Sequence, residues 1–475
     1  MMIRIEMRQL LVCFAFVGAA FALNAESNKP TGQDPSIAKA SSDRQDRPNI
    51  IVIMADDLGA EGLACYGSSI YTTPNLDTMA QEGVLFNNAY STPLCTPTRV
   101  MIMTGKYPNR SGFTSLISGK EKDARMPAML KTFGNYFKEA GYKTAMAGKW
   151  QLGQFDFYPN QPVEHGFNAY CMWKWMFGGK KTSRFYEPGI WSNGESKDGG
   201  VKDYGPDIYT QFVVDFIEQN QGEPFFIYFP MALVHSPFRN PPGLKELSHS
   251  KYVEGMNKET MAFGHMITYM DMLVGKILQK LKDTGLDDNT LVMFTGDNGT
   301  SRKIISQLGG LKLEGAKGSM TEAGTRVPFI CRWPSRVPAG RELDEMFCLV
   351  DVLPTISKVA GVEIASEGID GMDLSHYLFG TEGVDRDHVF MSYNGESFVR
   401  DQRFRLSDEG VLFDIPATSN ESRYSEKISI NPEHKEVKER LQVLLDQYNS
   451  IEPEASAAFA KFNPHAGKKD KKKEK

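Results

Sequence analysis

The chain has 475 residues, of which 41% are hydrophobic, and it carries a formal net charge of −5 at pH 7. The hydrophobic content is ordinary for a globular protein, and the length exceeds what one core usually serves, so we expect one large domain with a smaller one. The modest net charge gives no reason to expect binding to nucleic acid or to a membrane surface. Any preference for anions must therefore come from local clusters of basic side chains.

The N-terminus has the pattern of a secretory signal peptide. Two arginines precede an almost wholly apolar run over residues 10–22, and small residues follow. A bilayer span needs about 20 apolar residues, so this run is too short to be a membrane anchor. We predict a signal peptide over residues 1–25, a flexible polar leader over residues 26–47, and a secreted or periplasmic protein without a membrane span.

Apolar runs with the composition of strands buried on both faces recur down the chain. They cover residues 49–55, 143–148, 225–230 and 290–295. Helical patterns precede the last three of these runs, over residues 129–140, 208–219 and 264–284. Strands that alternate with helices are typical of α/β proteins. We therefore predict a mostly parallel central sheet flanked by helices, with a further strand over residues 327–332.

The C-terminal part has a different pattern, which predicts a smaller α+β subdomain. Short strands are expected over residues 388–393, 403–407 and 410–414, and an amphipathic helix over residues 432–448. We place the catalytic domain at residues 48–370, the C-terminal subdomain at 371–464 and a solvated basic tail at 465–475. Five cysteines follow the signal peptide without close spacing, and we expect buried free thiols rather than disulfides.

Polar side chains follow the predicted strands, at or just past the point where each one ends. They are Asp56, Asp57, Lys149, His235, Asp297 and Asn298. Ligands of such sheets bind beyond the carboxyl ends of the strands, so these side chains should converge on one pocket. One Asp-Asp pair after a strand is more often a turn or a cap. A second acid-rich pair at an equivalent strand end instead favours a site for Ca²⁺ or Mg²⁺, which prefer oxygen ligands.

The stretch PLCTPTR at residues 93–99 has the spacing CxPxR and precedes an apolar run. Pro97 fits the first turn of a helix, so Cys95 should lie just before that helix and face the positive end of its dipole. Arg99, one turn along, offers donors for a tetrahedral oxyanion near the same place. Taken alone, the pattern also fits a buried cysteine ahead of an ordinary helix.

In company with other motifs, this stretch resembles the type I, formylglycine-dependent sulfatases of the alkaline phosphatase superfamily. The resemblance runs from about residue 49 to residue 361. Its motifs are ADDLG at 55–59, CTPTR at 95–99, GKW at 148–150, HSP at 235–237, GDNG at 296–299, and Lys317 with RVP at 326–328. It implies that a formylglycine-generating enzyme oxidises Cys95 to formylglycine. It also implies a cation, Ca²⁺ or Mg²⁺, held by Asp56, Asp57, Asp297, Asn298 and the modified Cys95.

The resemblance further implies hydrolysis of a sulfate ester. One hydroxyl of the hydrated formylglycine would attack sulfur and expel the alcohol, and deprotonation of the other hydroxyl would then eliminate sulfate. Lys149, Lys317 and Arg99 would neutralise charge on the sulfuryl oxygens, and His235 would protonate the leaving group. The family usually has His where this chain has Gln151. Glutamine cannot accept the hydrate's proton, so the elimination needs another base.

A segment rich in aromatic and basic residues, 170–191, contains Trp173 and Trp175. Aromatic rings beside basic side chains suit a sulfated sugar, although a loop that buries its own rings fits equally well. These tryptophans, with Gln151 and Arg110, are our candidate substrate contacts. A sulfated glycan or a small sulfate ester is the expected substrate. The alternatives are a phosphodiester or phosphonate monoester hydrolase of the same superfamily and a catalytically weak glycan-binding homologue.

Overall fold

The structure, a computed structural model, describes residues 47–120, 122, 124–244, 257–416 and 419–455. These residues belong to one compact unit, Arg44–Lys475. The predicted signal peptide, the leader up to residue 46 and the basic tail lie outside the described residues. Within the described ranges, no helix has the length and hydropathy required to cross a bilayer.

Strands form a central sheet, a C-terminal sheet and two small hairpins. In the described part of the chain they are β1 (Asn49–Ala55), β2 (Val84–Tyr90), β3 (Lys143–Lys149), β4 (Ala169–Trp173), β5 (Met176–Phe177), β6 (Lys180–Lys181), β7 (Ile190–Ser192), β8 (Glu195–Ser196), β9 (Phe225–Pro230), β10 (Thr290–Gly296), β11 (Ile305–Leu308), β12 (Leu311–Glu314), β13 (Phe329–Arg332), β14 (Arg341–Cys348), β15 (Val389–Tyr393), β16 (Glu396–Arg400), β17 (Phe404–Ser407), β18 (Leu412–Asp414) and β19 (Lys427–Ile428).

Helices flank the central sheet through apolar faces. Over the same described ranges they are α1 (Pro74–Gln81), α2 (Cys95–Thr104), α3 (Pro108–Ser111), α4 (Phe133–Glu139), α5 (Gln161–Glu164), α6 (Gly205–Gln219), α7 (Lys258–Asp283), α8 (Glu322–Thr325), α9 (Val352–Ala360), α10 (Ser375–Phe379) and α11 (Lys435–Asn449). Short 3₁₀ turns cover Ala60–Gly62, Ala64–Tyr66, Asp287–Asn289, Leu349–Asp351, Ser422–Tyr424 and Pro432–His434. For example, α6 packs against β3 and α9 packs against β1.

The central sheet is mostly parallel, as predicted. Its ten described strands lie in the order β14-β2-β13-β10-β1-β9-β3-β4-β7-β8. β1 pairs in parallel with both β10 and β9, and all of its residues are buried, which explains its uninterrupted apolar sequence. β13 and β7 run antiparallel to their neighbours. The carboxyl ends of β1, β3, β9 and β10 therefore meet at one edge of the sheet.

Several predicted boundaries shift because side chains cap the helices. The helix expected over residues 129–140 begins only at Phe133, since Thr132 forms a reciprocal capping pair with Asn135. The helix expected from residue 264 begins at Lys258 instead, after the cap Asn257, whose side chain accepts from the Thr260 N–H at 2.7 Å.

Strands β2, β4, β7 and β8 of the central sheet and the first half of β14 were not predicted from the sequence. β2 contains Asn87 and Asn88, which interrupt its apolar run; their amides donate to the side chain and the carbonyl of Asp344. β14 has a charged first half, RELDE, because it is the edge strand and only its last three residues are buried. Neither sequence therefore has the pattern of an interior strand.

A five-stranded antiparallel sheet, β15 to β19, follows in the C-terminal part. It contains the three predicted strands and adds β16 and β19, while α11 packs on β16 and β17 with Leu441 and Leu445 buried. Arg400 of β16 forms a buried ion pair with Glu322, which joins this sheet to the rest of the unit. The subdomain boundary at residue 370 stays a prediction. All five described cysteines are free thiols, and Cys65 is the one that is half-buried.

Gly148, next to the end of β3, provides a test of how β3 and β9 fit together. Its φ is +103°, and a Cβ there would lie 2.2 Å from the carbonyl oxygen of Pro230. We expect Gly148→Ala to cost about 1–2 kcal/mol for backbone strain and roughly 1–3 kcal/mol more for the clash. Gly141→Ala is the matched control, since its φ is +87° and no described atom lies within 4 Å of the new Cβ. Equal melting temperatures for the two variants would contradict this packing.

Candidate active site

The site is built where β1 and β10 end side by side. The register pairs Ala55 with Gly296, so Asp56 and Asp297 follow at neighbouring strand ends. Asp57 adopts a φ of +63°, and its N–H donates to Asp297 Oδ1 at 3.0 Å. All three carboxylates are buried. The structure thus brings these three strand-end carboxylates together.

Cys95 approaches the same carboxylates from α2. It is the first residue of that helix rather than the residue before it. Its Sγ and one oxygen each from Asp56 and Asp297 all lie within 4.8 Å of one another. The helix N-terminus places its positive end at this cluster, which favours a bound anion.

Two basic side chains, one on β3 and one on α2, bind Asp56 and Asp297. Lys149, the last residue of β3, places its Nζ 2.7 and 2.8 Å from the two carboxylate oxygens of Asp56. Arg99 donates from Nη2 to Asp297 Oδ2 at 2.8 Å and from Nη1 to the Lys149 carbonyl at 2.9 Å. Its Nε is buried and has no hydrogen-bond partner among the described residues. That N–H is therefore a donor available to an anion.

Three further predicted residues surround Asp57. Lys317 forms a short ion pair with Asp57 Oδ1, to which Asn298 Nδ2 also donates at 3.0 Å. His235 Nε2 lies 3.6 Å from Asp57 Oδ2. His235 Nδ1 is 2.7 Å from the Ser236 carbonyl, an acceptor, so Nδ1 carries a proton. Nε2 therefore donates a proton only when the imidazole is charged.

Burial and charge pull the pKa values of this cluster in opposite directions. Burial raises the pKa of Asp56, but the attraction of Lys149, His235, Arg99 and Arg184 outweighs it and holds that pKa well below the usual range. Burial and repulsion from Asp56 raise the pKa of Asp297 to about 6. Burial lowers the pKa of His235 to about 4, against the opposing attraction of Asp57. Without a ligand, the imidazole is neutral at pH 7.

Arg184 belongs to the cluster, although no sequence pattern indicated this role. It lies between β6 and β7, and its Nη1 is 3.0 Å from Asp56 Oδ2. Its guanidinium stacks over the ring of Trp173 at 4.1 Å. Trp173 is fully buried and donates from Nε1 to Thr182 Oγ1, so it supports Arg184 from beneath. Arg184 is one of several basic residues in the aromatic segment 170–191, and its sequence context does not distinguish it from the others.

The other candidate substrate contacts are separated by the fold. Gln151 and Trp175 line a cavity of about 770 Å³, whose wall also includes Lys181. Gln151 has a φ of +52°, and its buried Oε1 lacks a hydrogen-bond partner within the described part of the chain. Arg110 pairs with Asp370 at 2.8 Å, and no described contact joins it to the predicted ligands.

The donor set fits a hard divalent cation. Asp56, Asp57 and Asp297 supply carboxylate oxygens in one buried cluster. Asn298 Oδ1 is also buried and, among described atoms, has no hydrogen-bond partner. A buried acceptor left without a donor is costly unless something else satisfies it, and a cation would do so. Oxygen ligands of this type are those preferred by Ca²⁺ and Mg²⁺.

Comparison with known proteins assigns the class. The sulfatase family model matches residues 48–362, so the chain belongs to the sulfatase family, whose members are sulfuric ester hydrolases. The chain is 31% identical over 390 residues to N-acetylgalactosamine-6-sulfatase of Canis lupus familiaris, covering 74% of this chain and 69% of the relative. It is also 31% identical over 366 residues to Homo sapiens arylsulfatase A, covering 72% of this chain and 70% of the relative.

A solved structure has the same fold. The crystal structure of Ps i-CgsB in complex with k-i-k-neocarrahexaose matches with a TM-score of 0.73 and 23% identity, over 90% of this chain and 100% of that one. The resemblance deduced from the motifs, and the α/β fold expected with it, are confirmed.

Arg184→Met tests whether Arg184 stabilises the buried Asp56. We expect a loss of about 3 kcal/mol in the free energy of unfolding, the lower end for a broken buried pair, because Asp56 keeps Lys149. Arg403→Met is the control, since it breaks the exposed pair with Asp414 and should cost under about 0.5 kcal/mol. Denaturant unfolding without divalent cations measures both. Similar losses in the two variants would show that Asp56 does not depend on Arg184.

Proposed function

We propose that this protein hydrolyses a sulfate ester on a sulfated carbohydrate, with formylglycine made from Cys95 as its nucleophile and a divalent cation bound beside it. The observation that carries the proposal is the position of Cys95. Its Sγ lies at a helix N-terminus, within 4.8 Å of Asp56 and Asp297 oxygens. A nucleophile there faces donors suited to a tetrahedral sulfuryl group.

We assign the cation to Asp56, Asp57, Asp297, Asn298 and the modified Cys95. The orphaned Oδ1 of Asn298 supports this set, and Ca²⁺ and Mg²⁺ both suit it. When bound, the cation supplies positive charge to the sulfuryl oxygens. Arg99, Lys149 and Lys317 add fixed positive charge on the protein's side of the same group.

His235 is the proposed acid for the departing alcohol. Its Nδ1 is held by the Ser236 carbonyl, so the ring orientation is fixed before substrate binds. Burial keeps the ring neutral in the ligand-free protein, with a pKa of about 4. A bound sulfate ester brings negative charge to Nε2 and raises that pKa, which favours the imidazolium needed for proton donation.

Gln151 does not take over the role of the histidine that the family usually has at this position. The Asp56 and Asp297 carboxylates lie close to Cys95, and we propose one of them as the acceptor of the hydrate's proton.

A sulfated sugar is the proposed substrate class. Trp175 and Gln151 line one cavity, which gives an apolar surface and a hydrogen-bonding amide. One structural neighbour was solved in complex with k-i-k-neocarrahexaose, and one relative is an N-acetylgalactosamine-6-sulfatase. A formylglycine-generating enzyme would act on Cys95 during maturation, on a chain bound for secretion or the periplasm.

The direct test is inorganic sulfate release from a panel of sulfated mono- and polysaccharides, measured by ion chromatography. The protein is co-expressed with a formylglycine-generating enzyme, and peptide mass confirms conversion of Cys95. We expect release by the wild type and at least a 10³-fold loss in Cys95→Ala, because the nucleophile is gone. Cys65→Ala, which removes the half-buried thiol, should retain activity.

If the converted wild type released no sulfate from any member of the panel, the sulfatase proposal would be contradicted. Phosphate release from phosphodiesters or phosphonate monoesters under the same conditions would then favour the hydrolase alternative. Binding of the glycans without release would favour a glycan-binding protein.

The proposed cation gives a second prediction. Saturating Ca²⁺ or Mg²⁺ should raise the melting temperature, since a ligand at about 100 times its Kd adds roughly 2.7 kcal/mol of stability. Asn298→Ala should weaken this shift at a given cation concentration. Asn220→Ala is the control, because that amide donates only to the Phe216 carbonyl at the end of α6. A shift equal in all three proteins would mean that the cation binds elsewhere.

A further inference from the structure

Lys181 lies on the β5–β6 hairpin and is shared by the linings of two cavities. It lines the cavity of about 770 Å³ that contains Gln151 and Trp175. It also lines a second cavity, of about 590 Å³, together with Arg184 and Arg239. Arg184 in turn binds Asp56, so Lys181 is adjacent to the place where the sulfate ester is proposed to react.

The first cavity has positively charged and apolar walls. Its lining contains Lys120, Lys122 and Lys181 and, among the described residues, no Asp or Glu. Residues 121 and 123, both acidic, alternate with the first two lysines and lie outside the described residues, whereas Lys181 has described neighbours on both sides. Lys122 lies over the ring of Phe157, 5.6 Å from its centroid. Of the three lysines that line this cavity, Lys181 is therefore the one whose neighbours in sequence are both described.

Lys181 differs from the other basic groups near the centre because it is not used to neutralise a carboxylate. Arg99, Lys149 and Arg184 all contact Asp56 or Asp297. For Lys181 the described part of the chain provides no ion-pair partner. Partial burial and the positive charges of Arg184 and Lys149 lower the pKa of Lys181, and this repulsion outweighs the attraction of Asp56. A bound anion would relieve that repulsion.

The neighbouring walls fit a sugar ring. Trp175 and Met176 provide apolar surface, and Gln151 and Gln154 provide amides. The buried Gln151 Oε1 lacks a donor within the described ranges, and a sugar hydroxyl would satisfy it.

We propose that this cleft binds a second anionic group of the substrate through Lys181, next to the ester that is cleaved. The inference rests on the proposed function and deepens it: the preferred substrate is a saccharide with a further sulfate or carboxylate, either on the same sugar or on its neighbour. Lys181 is a specificity residue and takes no part in the reaction itself.

The test compares probes that differ by one anionic group. The pairs are glucosamine 6-sulfate against glucosamine 2-N,6-O-disulfate, and N-acetylgalactosamine 6-sulfate against the same sugar linked to a uronic acid. Binding to the Cys95→Ala protein is measured by calorimetry, and sulfate release by the converted wild type is measured in parallel. The first pair reports a second sulfate on the same sugar, and the second pair reports a carboxylate on the neighbour.

We expect tighter binding of the doubly charged member of at least one pair, by about tenfold, which corresponds to about 1.4 kcal/mol. Adding Lys181→Gln should bring the ratio close to one, and Lys181→Arg should keep most of it. Lys180→Gln is the matched control, because Lys180 lies on the same hairpin but does not line either cavity. The preference should also fall as salt is raised, since Lys181 is partly exposed.

Equal binding within both pairs, an absence of binding, or a preference that survives Lys181→Gln overturns the inference. Sulfate release remains a separate readout. Sulfate release without a binding preference for the doubly charged probe contradicts the second anion site alone. A Lys181-dependent binding preference without sulfate release from any probe contradicts the proposed hydrolysis but supports the anion site.

Discussion

The carboxylate of Asp56 is fully buried, and a buried charge is tolerated only where other charges compensate it. Lys149, Arg99 and Arg184 provide that compensation from β3, from α2 and from the loop after β6. Each of these elements must dock in one position for its cation to reach Asp56. The same ion pairs therefore hold the strand ends, the Cys95 helix and the aromatic segment in a fixed relation.

This arrangement leaves a surplus of positive charge at the centre. Three carboxylates, Asp56, Asp57 and Asp297, face four cations, Arg99, Lys149, Arg184 and Lys317, so the fixed charges sum to +1 with His235 neutral. A bound divalent cation would increase that surplus. In the proposed reaction, this surplus would attract a sulfate ester and stabilise the charge that grows on its oxygens, because the donors are in place beforehand.

Many of the site residues could be predicted from the sequence. The apolar runs identify β1, β3, β9 and β10, and the polar residues of the site lie where those strands end. Arg184 was not predicted as a site residue, because its approach to Asp56 depends on the β5–β6 hairpin and on stacking over Trp173. Trp173 itself looked like a substrate platform and proved to be buried beneath Arg184. Pairings such as Arg110 with Asp370 join residues 260 positions apart, and no local pattern reveals them.

The central claim is that Cys95, once converted, attacks sulfur rather than the carbon of the ester. Hydrolysis in water enriched in heavy oxygen tests it most directly, with mass spectrometry of both products. The formylglycine hydrate exchanges its oxygens with solvent, so attack at sulfur predicts label in the released sulfate and none in the sugar hydroxyl. Label in the sugar hydroxyl would show cleavage of the carbon–oxygen bond and would contradict the proposed role of Cys95.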